Sequence, residues 1–157
     1  MSQTIKPAPV RKTLVLRASP ETAFRVFTDG IDRWWPRTHH VGKTDMVRAV
    51  MEPRAGGRWY EIGTDGAECN WGDVLEWDPP RRLLLAWRLN PQWGYDPDLL
   101  TEVEVIFTAV GEGETRVDFE HRGFERMGAA GDEARARVDS PNGWGALLGM
   151  FKTVAEA

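Results

Sequence analysis

His121 and Asp73 are the two side chains of this chain best placed by type and spacing to do chemistry. His121 is the penultimate residue of the run TRVDFEHR at residues 115–122 and shares the parity of Val117 and Phe119, so it is expected to point inward. An imidazole changes charge near neutral pH, which suits a general acid or base. Asp73 falls between Trp71 and Leu75 on the inward parity of residues 68–77. A buried carboxylate without a partner is costly, so Arg58, Arg88 or His121 is expected beside it. An Asp–His pair in apolar surroundings would be an acid/base site. The blander reading of each is a hydrogen-bonded structural group, and it is the favoured one.

Large apolar side chains surround these two. Trp71, Trp77, Trp87, Phe107, Phe119 and Trp144 fall on expected core faces. With Trp35, Tyr60, His121 and Leu148 they make the candidate ligand-binding set. Such rings either pack a core or wall a pocket for a flat apolar ligand, because both environments favour aromatic burial.

Other chemistries fail for want of residues. Cys69 is the only cysteine, which excludes a disulfide framework and a multi-cysteine zinc site. It reads as a small apolar filler on a strand. His39 and His40 are adjacent and cannot both face one ion from a helix or strand, so no metal is expected. No cofactor is expected either. The serines are Ser2, Ser19 and Ser140; the last two read as helix caps, which leaves no hydrolase nucleophile. Gly56-Gly57 lies between strands and reads as a turn, not a phosphate loop. The net charge is -4 with no basic run, so no nucleic acid partner is expected. No apolar run is long enough to span a membrane. The first residues lack the apolar segment of a signal peptide, which makes the cytoplasm the expected location.

The elements that must position these groups follow from periodicity and turn signals. Residues 1–9 carry two prolines and read as a loose arm; residues 10–157 read as one domain. Strands are expected over 10–17, 44–52, 58–62, 68–77, 83–89, 101–110 and 115–122, most with alternating apolar residues. Ser19-Pro20-Glu21 announces a helix with Phe24, Phe27 and Ile31 on one face. Gly30 breaks it, and a second short helix ends at Pro36. Residues 123–139 read as a loop with a short helix. Ser140-Pro141 repeats the helix-start signal, and Trp144, Leu148, Phe151 and Ala155 mark a terminal helix of about four turns. Gly143, Gly145 and Gly149 along it imply either a close approach to the sheet or space beneath the helix.

This order, with its motifs, resembles the helix-grip superfamily of START-like (SRPBCC) domains. Within it the chain is similar to the family of the C-terminal domain of the activator of Hsp-ninety ATPase. The resemblance is carried by Ser19-Pro20-Glu21-Thr22-Ala23-Phe24, Trp34-Trp35-Pro36, Glu52 to Tyr60 (EPRAGGRWY), Trp71 to Pro80 (WGDVLEWDPP), Glu120-His121-Arg122-Gly123-Phe124 and Asn142-Gly143-Trp144. It implies an α+β fold: a seven-stranded curved antiparallel sheet wrapped around a long C-terminal helix, with two short helices between strands 1 and 2. It also implies a cavity between sheet and helix. Members of the superfamily bind lipids, sterols or aromatic polyketides, and some cyclise or dehydrate them. The resemblance therefore points first to an apolar or aromatic small-molecule partner. A cyclase- or hydratase-like enzyme using His121 and Asp73 is the second reading. A co-chaperone-like module with a protein partner, or a homodimer, is the third. The chain has no room for the co-chaperone's separate N-terminal domain.

Overall fold

Turn chemistry and pleat parity organise the computed structural model, which describes residues 7–157. The elements are β1 (Val10–Leu16), α1 (Pro20–Phe27), α2 (Ile31–Trp34), β2 (Met46–Met51), β3 (Arg58–Gly63), β4 (Glu68–Asp78), β5 (Arg82–Trp87), β6 (Thr101–Gly111), β7 (Glu114–Arg122), α3 (Gly131–Val138) and α4 (Trp144–Ala155). A 3-10 segment, Phe124–Ala130, precedes α3. β2 to β7 form a meander and β1 closes on β7, giving the antiparallel order β1-β7-β6-β5-β4-β3-β2. Gly66 (φ 82°) and Gly113 (φ 67°) turn the β3–β4 and β6–β7 hairpins in the left-handed region that glycine adopts without a Cβ penalty.

The first helix forms as its signals require. The Thr22 amide donates to Ser19 Oγ at 3.2 Å, and Pro20 occupies the first helical position. Of the arm expected over residues 1–9, residues 1–6 lie outside the described residues. The carbonyls of Ala8 and Pro9 accept hydrogen bonds from Arg135.

Two sequence expectations need correction. Ser140-Pro141 does not start the last helix. The Gly143 amide donates to the Ser140 carbonyl at 2.8 Å and closes a turn, so α4 begins at Trp144 and runs for 12 residues, a little over three turns. Asp73 does not keep the inward parity of Trp71. The register of β4 slips twice, opposite Trp59/Tyr60 and between Val74 and Glu76. Each slip adds a residue on one strand and resets which face the next side chain takes. Trp71 and Val74 are thereby buried, while Asp73 pairs with Arg88. Gly72 sits at the first slip, where a Cβ would lie 1.7 Å from the Ala86 carbonyl oxygen.

The core lies between the sheet and α4, whose Leu147, Leu148, Phe151 and Ala155 are buried. α1 and α2 cover one end: Phe27 packs on Phe151 with ring centres 5.2 Å apart, and Phe24 on Phe107 at 5.3 Å. The opposite face of the sheet is wet. Arg82, Glu104, Arg122 and Glu120 form a cross-strand ladder of partly exposed ion pairs. Pairs of that exposure contribute only about 0–1 kcal/mol each.

Candidate functional site

At the end of the sheet away from α1, a cavity of about 590 Å³ opens beneath the start of α4. Its walls are the rings of Trp35, Trp71, Trp87, Trp93 and Trp144, with Leu89, Val138 and Leu147 between them. Trp35 lies 4.7 Å from Trp71 and 5.9 Å from Trp144, and Trp87 lies 5.4 Å from Trp144, measured between ring centres. Three of these indoles have their N–H groups satisfied by the protein. Trp35 Nε1 donates to the His39 carbonyl at 2.8 Å, Trp71 Nε1 to Glu61 at 2.9 Å, and Trp144 Nε1 to His121 Nδ1 at 3.0 Å. These indoles therefore bring apolar surface to the cavity with their polar atoms already paired.

Glu61 holds one side of the site. It shares the pleat side of Trp59 and is fully buried. Besides Trp71, its carboxylate accepts the Val41 amide at 2.6 Å and the Gly42 amide at 3.2 Å. One buried carboxylate thus pins both a wall tryptophan and the loop of residues 38–43. Its alternation with Trp59 on a strand is the signal that marks it in the sequence.

His121 is sealed in. Trp144 Nε1 donates to Nδ1, which leaves the imidazole proton on Nε2; that atom lies 2.8 Å from Thr101 Oγ1. The threonine hydroxyl in turn donates to the Trp87 carbonyl at 2.9 Å. Burial pushes the His121 pKa down to about 3, because the cation would sit without water. With both nitrogens engaged and the ring neutral, His121 joins α4, β6 and β5. It has no free atom for proton transfer.

The remaining candidates separate into those around the cavity and those elsewhere. Trp35, Trp71, Trp87 and Trp144 line it. Phe119 lies behind Trp144, with ring centres 4.6 Å apart. Phe107 and Leu148 belong to the packed core. Trp77 packs against Phe24 at 5.0 Å and lines a separate shallow groove with Pro79 and Pro80. Tyr60 shares the pleat side of Arg58, whose guanidinium sits 4.1 Å from its ring centre. Asp73 accepts from Arg88 at 2.8 Å. β5 and β6 separate its strand from that of His121, so the structure does not bring the two together. Burial, then the Glu61 carboxylate, push the Cys69 thiol up, away from thiolate reactivity. Among the described residues no group of three His, Cys, Asp or Glu side chains is placed to hold a metal ion.

The mouth of the cavity is built from two loops. In the first, His39 Nε2 donates to the Asn142 carbonyl at 2.7 Å and bridges to the turn before α4. His40 Nδ1 lies 3.1 Å from the Gly42 carbonyl. In the second, the Asn90 side-chain oxygen accepts the amides of Gln92 and Gly94, each at 2.9 Å. Between them Trp93 adopts φ 64°, is 38% exposed, and stands edge-on to Trp87. A bulky residue at positive φ costs of order 1–3 kcal/mol and persists only where its surroundings hold it. The feet of this loop are tied by a Leu89–Tyr95 bridge and by Arg88, which donates to the carbonyls of Pro97 and Leu99.

The model of the activator of Hsp90 ATPase homolog 1-like protein family matches residues 17–156. The chain belongs to that family. Its START-like, helix-grip fold is the family's. Among solved structures, it is 39% identical to the anthrahydroquino-gamma-pyrone synthase Txn09, complexed with SUM; the match covers 95% of this chain and 97% of that one, with a TM-score of 0.67. It is 37% identical to the self-sacrificing resistance protein CalC from Micromonospora echinospora, covering 94% and 93%, with a TM-score of 0.72. The Aha1 dimer from Colwellia psychrerythraea, 17% identical over 96% and 97% with a TM-score of 0.62, shares the fold. Comparison with curated proteins gives no match. No helix among the described residues is long and apolar enough to cross a membrane.

Proposed function

We propose that this protein is a small-molecule-binding domain that takes a flat, fused-ring aromatic ligand into the cavity beneath α4. The carrying observation is the set of indole walls, three of them with N–H groups committed to protein acceptors. Such a space favours a planar apolar guest, and its volume fits a molecule of drug-like size. Trp93 supports the same reading. It is a half-exposed ring held at positive φ beside the mouth, positioned to stack on an occupant. The synthase relative, 39% identical across nearly the whole chain, is named for a fused aromatic product.

That relative also favours a second reading: an enzyme closing an oxygen-containing ring on such a ligand. Its acid/base groups would have to come from the mouth, because His121 is sealed and Asp73 pairs with Arg88. A co-chaperone-like protein partner or a homodimer rests on family membership alone, whereas the cavity supports a small molecule.

The test is native mass spectrometry of the mildly purified protein, paired with indole fluorescence during titration with 2-hydroxyanthraquinone. The expected result is saturable quenching that Trp87→Ala abolishes, with any co-purified molecule displaced. Quenching that never saturates, with no co-purified molecule, overturns the proposal.

A further inference from the structure

His40 lines the cavity, and the structure settles which of its nitrogens carries the proton. A backbone carbonyl can only accept, so Nδ1, 3.1 Å from the Gly42 oxygen, must be the donor. In the neutral ring Nε2 is then an unprotonated acceptor. Among the described residues, Nε2 has no hydrogen-bond partner. The loop that sets this arrangement is itself fixed. Buried Glu61 accepts the amides of Val41 and Gly42, the residues following His40. Gly42 is packed closely enough that a Cβ would lie 3.1 Å from Cys69 Sγ and 3.2 Å from Glu61 Oε2. His40 therefore differs from the chain's other two histidines. His121 uses both nitrogens internally, and His39 uses Nε2 on the Asn142 carbonyl and Nδ1 on Thr38 Oγ1 at 3.0 Å.

We infer that His40 Nε2 is the specificity-determining acceptor of the cavity and selects aromatic ligands that carry a free hydroxyl. The inference rests on the cavity being the ligand site. A hydroxyl donates its hydrogen to Nε2, and an O-methyl ether at the same position has none to give. A site whose acceptor pairs with a ligand hydroxyl discriminates against an analogue that leaves that acceptor unpaired. The indole walls provide affinity for the ring system, while His40 adds the distinction between a phenol and its ether.

The experiment titrates the full chain with 2-hydroxyanthraquinone and with 2-methoxyanthraquinone, in the wild type, His40→Phe and His40→Gln. The wild type is expected to bind the phenol about tenfold more tightly, the size of one well-made hydrogen bond. His40→Phe keeps a ring of similar size without nitrogens. It is expected to bind both compounds equally, with the ether's Kd unchanged within about twofold of wild type. His40→Gln offers an amide oxygen and is expected to restore part of the preference. If the wild type binds both compounds equally, the cavity reading stands and this inference falls. If His40→Phe weakens both alike, His40 merely shapes the space and the inference falls. If neither compound binds the wild type, the cavity reading falls with it.

Discussion

Phe24, Phe27, Phe107 and Phe151 pack edge to face at one end of the interface between the sheet and α4, with ring centres 5.2–6.2 Å apart. At the other end Trp35, Trp71, Trp87 and Trp144 have centres 4.7–5.9 Å apart, and they surround a cavity of about 590 Å³. Residue class and ring spacing are alike; what differs is coverage. At the first end α1 and α2 lie against α4 and contribute rings to the same cluster. At the second, α4 has only begun at Trp144, and the loops around His40 and Trp93 stand in for a helix. A dense aromatic face becomes a core where another element covers it. It leaves a cavity where the covering element stops.

The contrast predicts opposite costs for opening each end. Phe151→Ala should lower unfolding free energy by about 3–5 kcal/mol in urea denaturation, as for other fully buried aromatic side chains. A loss below about 1 kcal/mol would mean that the closed end is not closed.

The buried relay sharpens the comparison through pH. The folded pKa of His121, about 3, lies below its unfolded value near 6.5. The unfolded chain therefore takes up a proton that the native state refuses, and the contribution is full above pH 6.5 and lost as pH falls. Between pH 6.5 and about 5, before carboxylates begin to protonate, stability should fall with a slope approaching about 1.4 kcal/mol per pH unit. His121→Asn should be less stable throughout yet flatter over that window. An unchanged slope in the variant would assign the titration to another group.

At the open end the expected effects move from stability to binding. Trp93→Gly should unfold at a urea concentration no lower than wild type, because glycine adopts φ 64° freely. It should still weaken binding of 2-hydroxyanthraquinone about tenfold, roughly 1.4 kcal/mol. A large stability loss with unchanged binding would make Trp93 a structural residue. The smallest effect belongs to Asp73→Asn, which breaks the partly exposed pair with Arg88. It should cost under about 1 kcal/mol and leave binding unchanged. A tenfold loss of binding would return Asp73 to the site.

The strands, the hairpin turns and the capped first helix were legible in the sequence, because pleat parity and left-handed glycines are local signals. The two register slips in β4 were not, since they are set by pairing with β3 and β5 rather than by β4 itself. That is why Asp73 was expected inside. Trp35, Trp71, Trp87 and Trp144 were legible as wall residues, each lying on or beside a periodic element. Trp93, His40 and Asn142 were not, because they stand on loops that converge only in three dimensions. Loops carry no period from which a facing side can be read. Glu61 was legible in principle: a carboxylate two residues from Trp59 on a strand shares its face.

The most direct test of the account is an indole 15N–1H spectrum recorded during titration with 2-hydroxyanthraquinone. Seven of the eight tryptophans divide cleanly; the eighth, Trp59, does not line the cavity but packs against Trp35, Trp71 and Trp87. The largest shifts should fall on Trp35, Trp71, Trp87, Trp93 and Trp144, which line the cavity, while Trp34 and Trp77 stay in place. A spectrum in which nothing moves, or in which Trp77 moves most, would contradict the claim that the open end is the binding site.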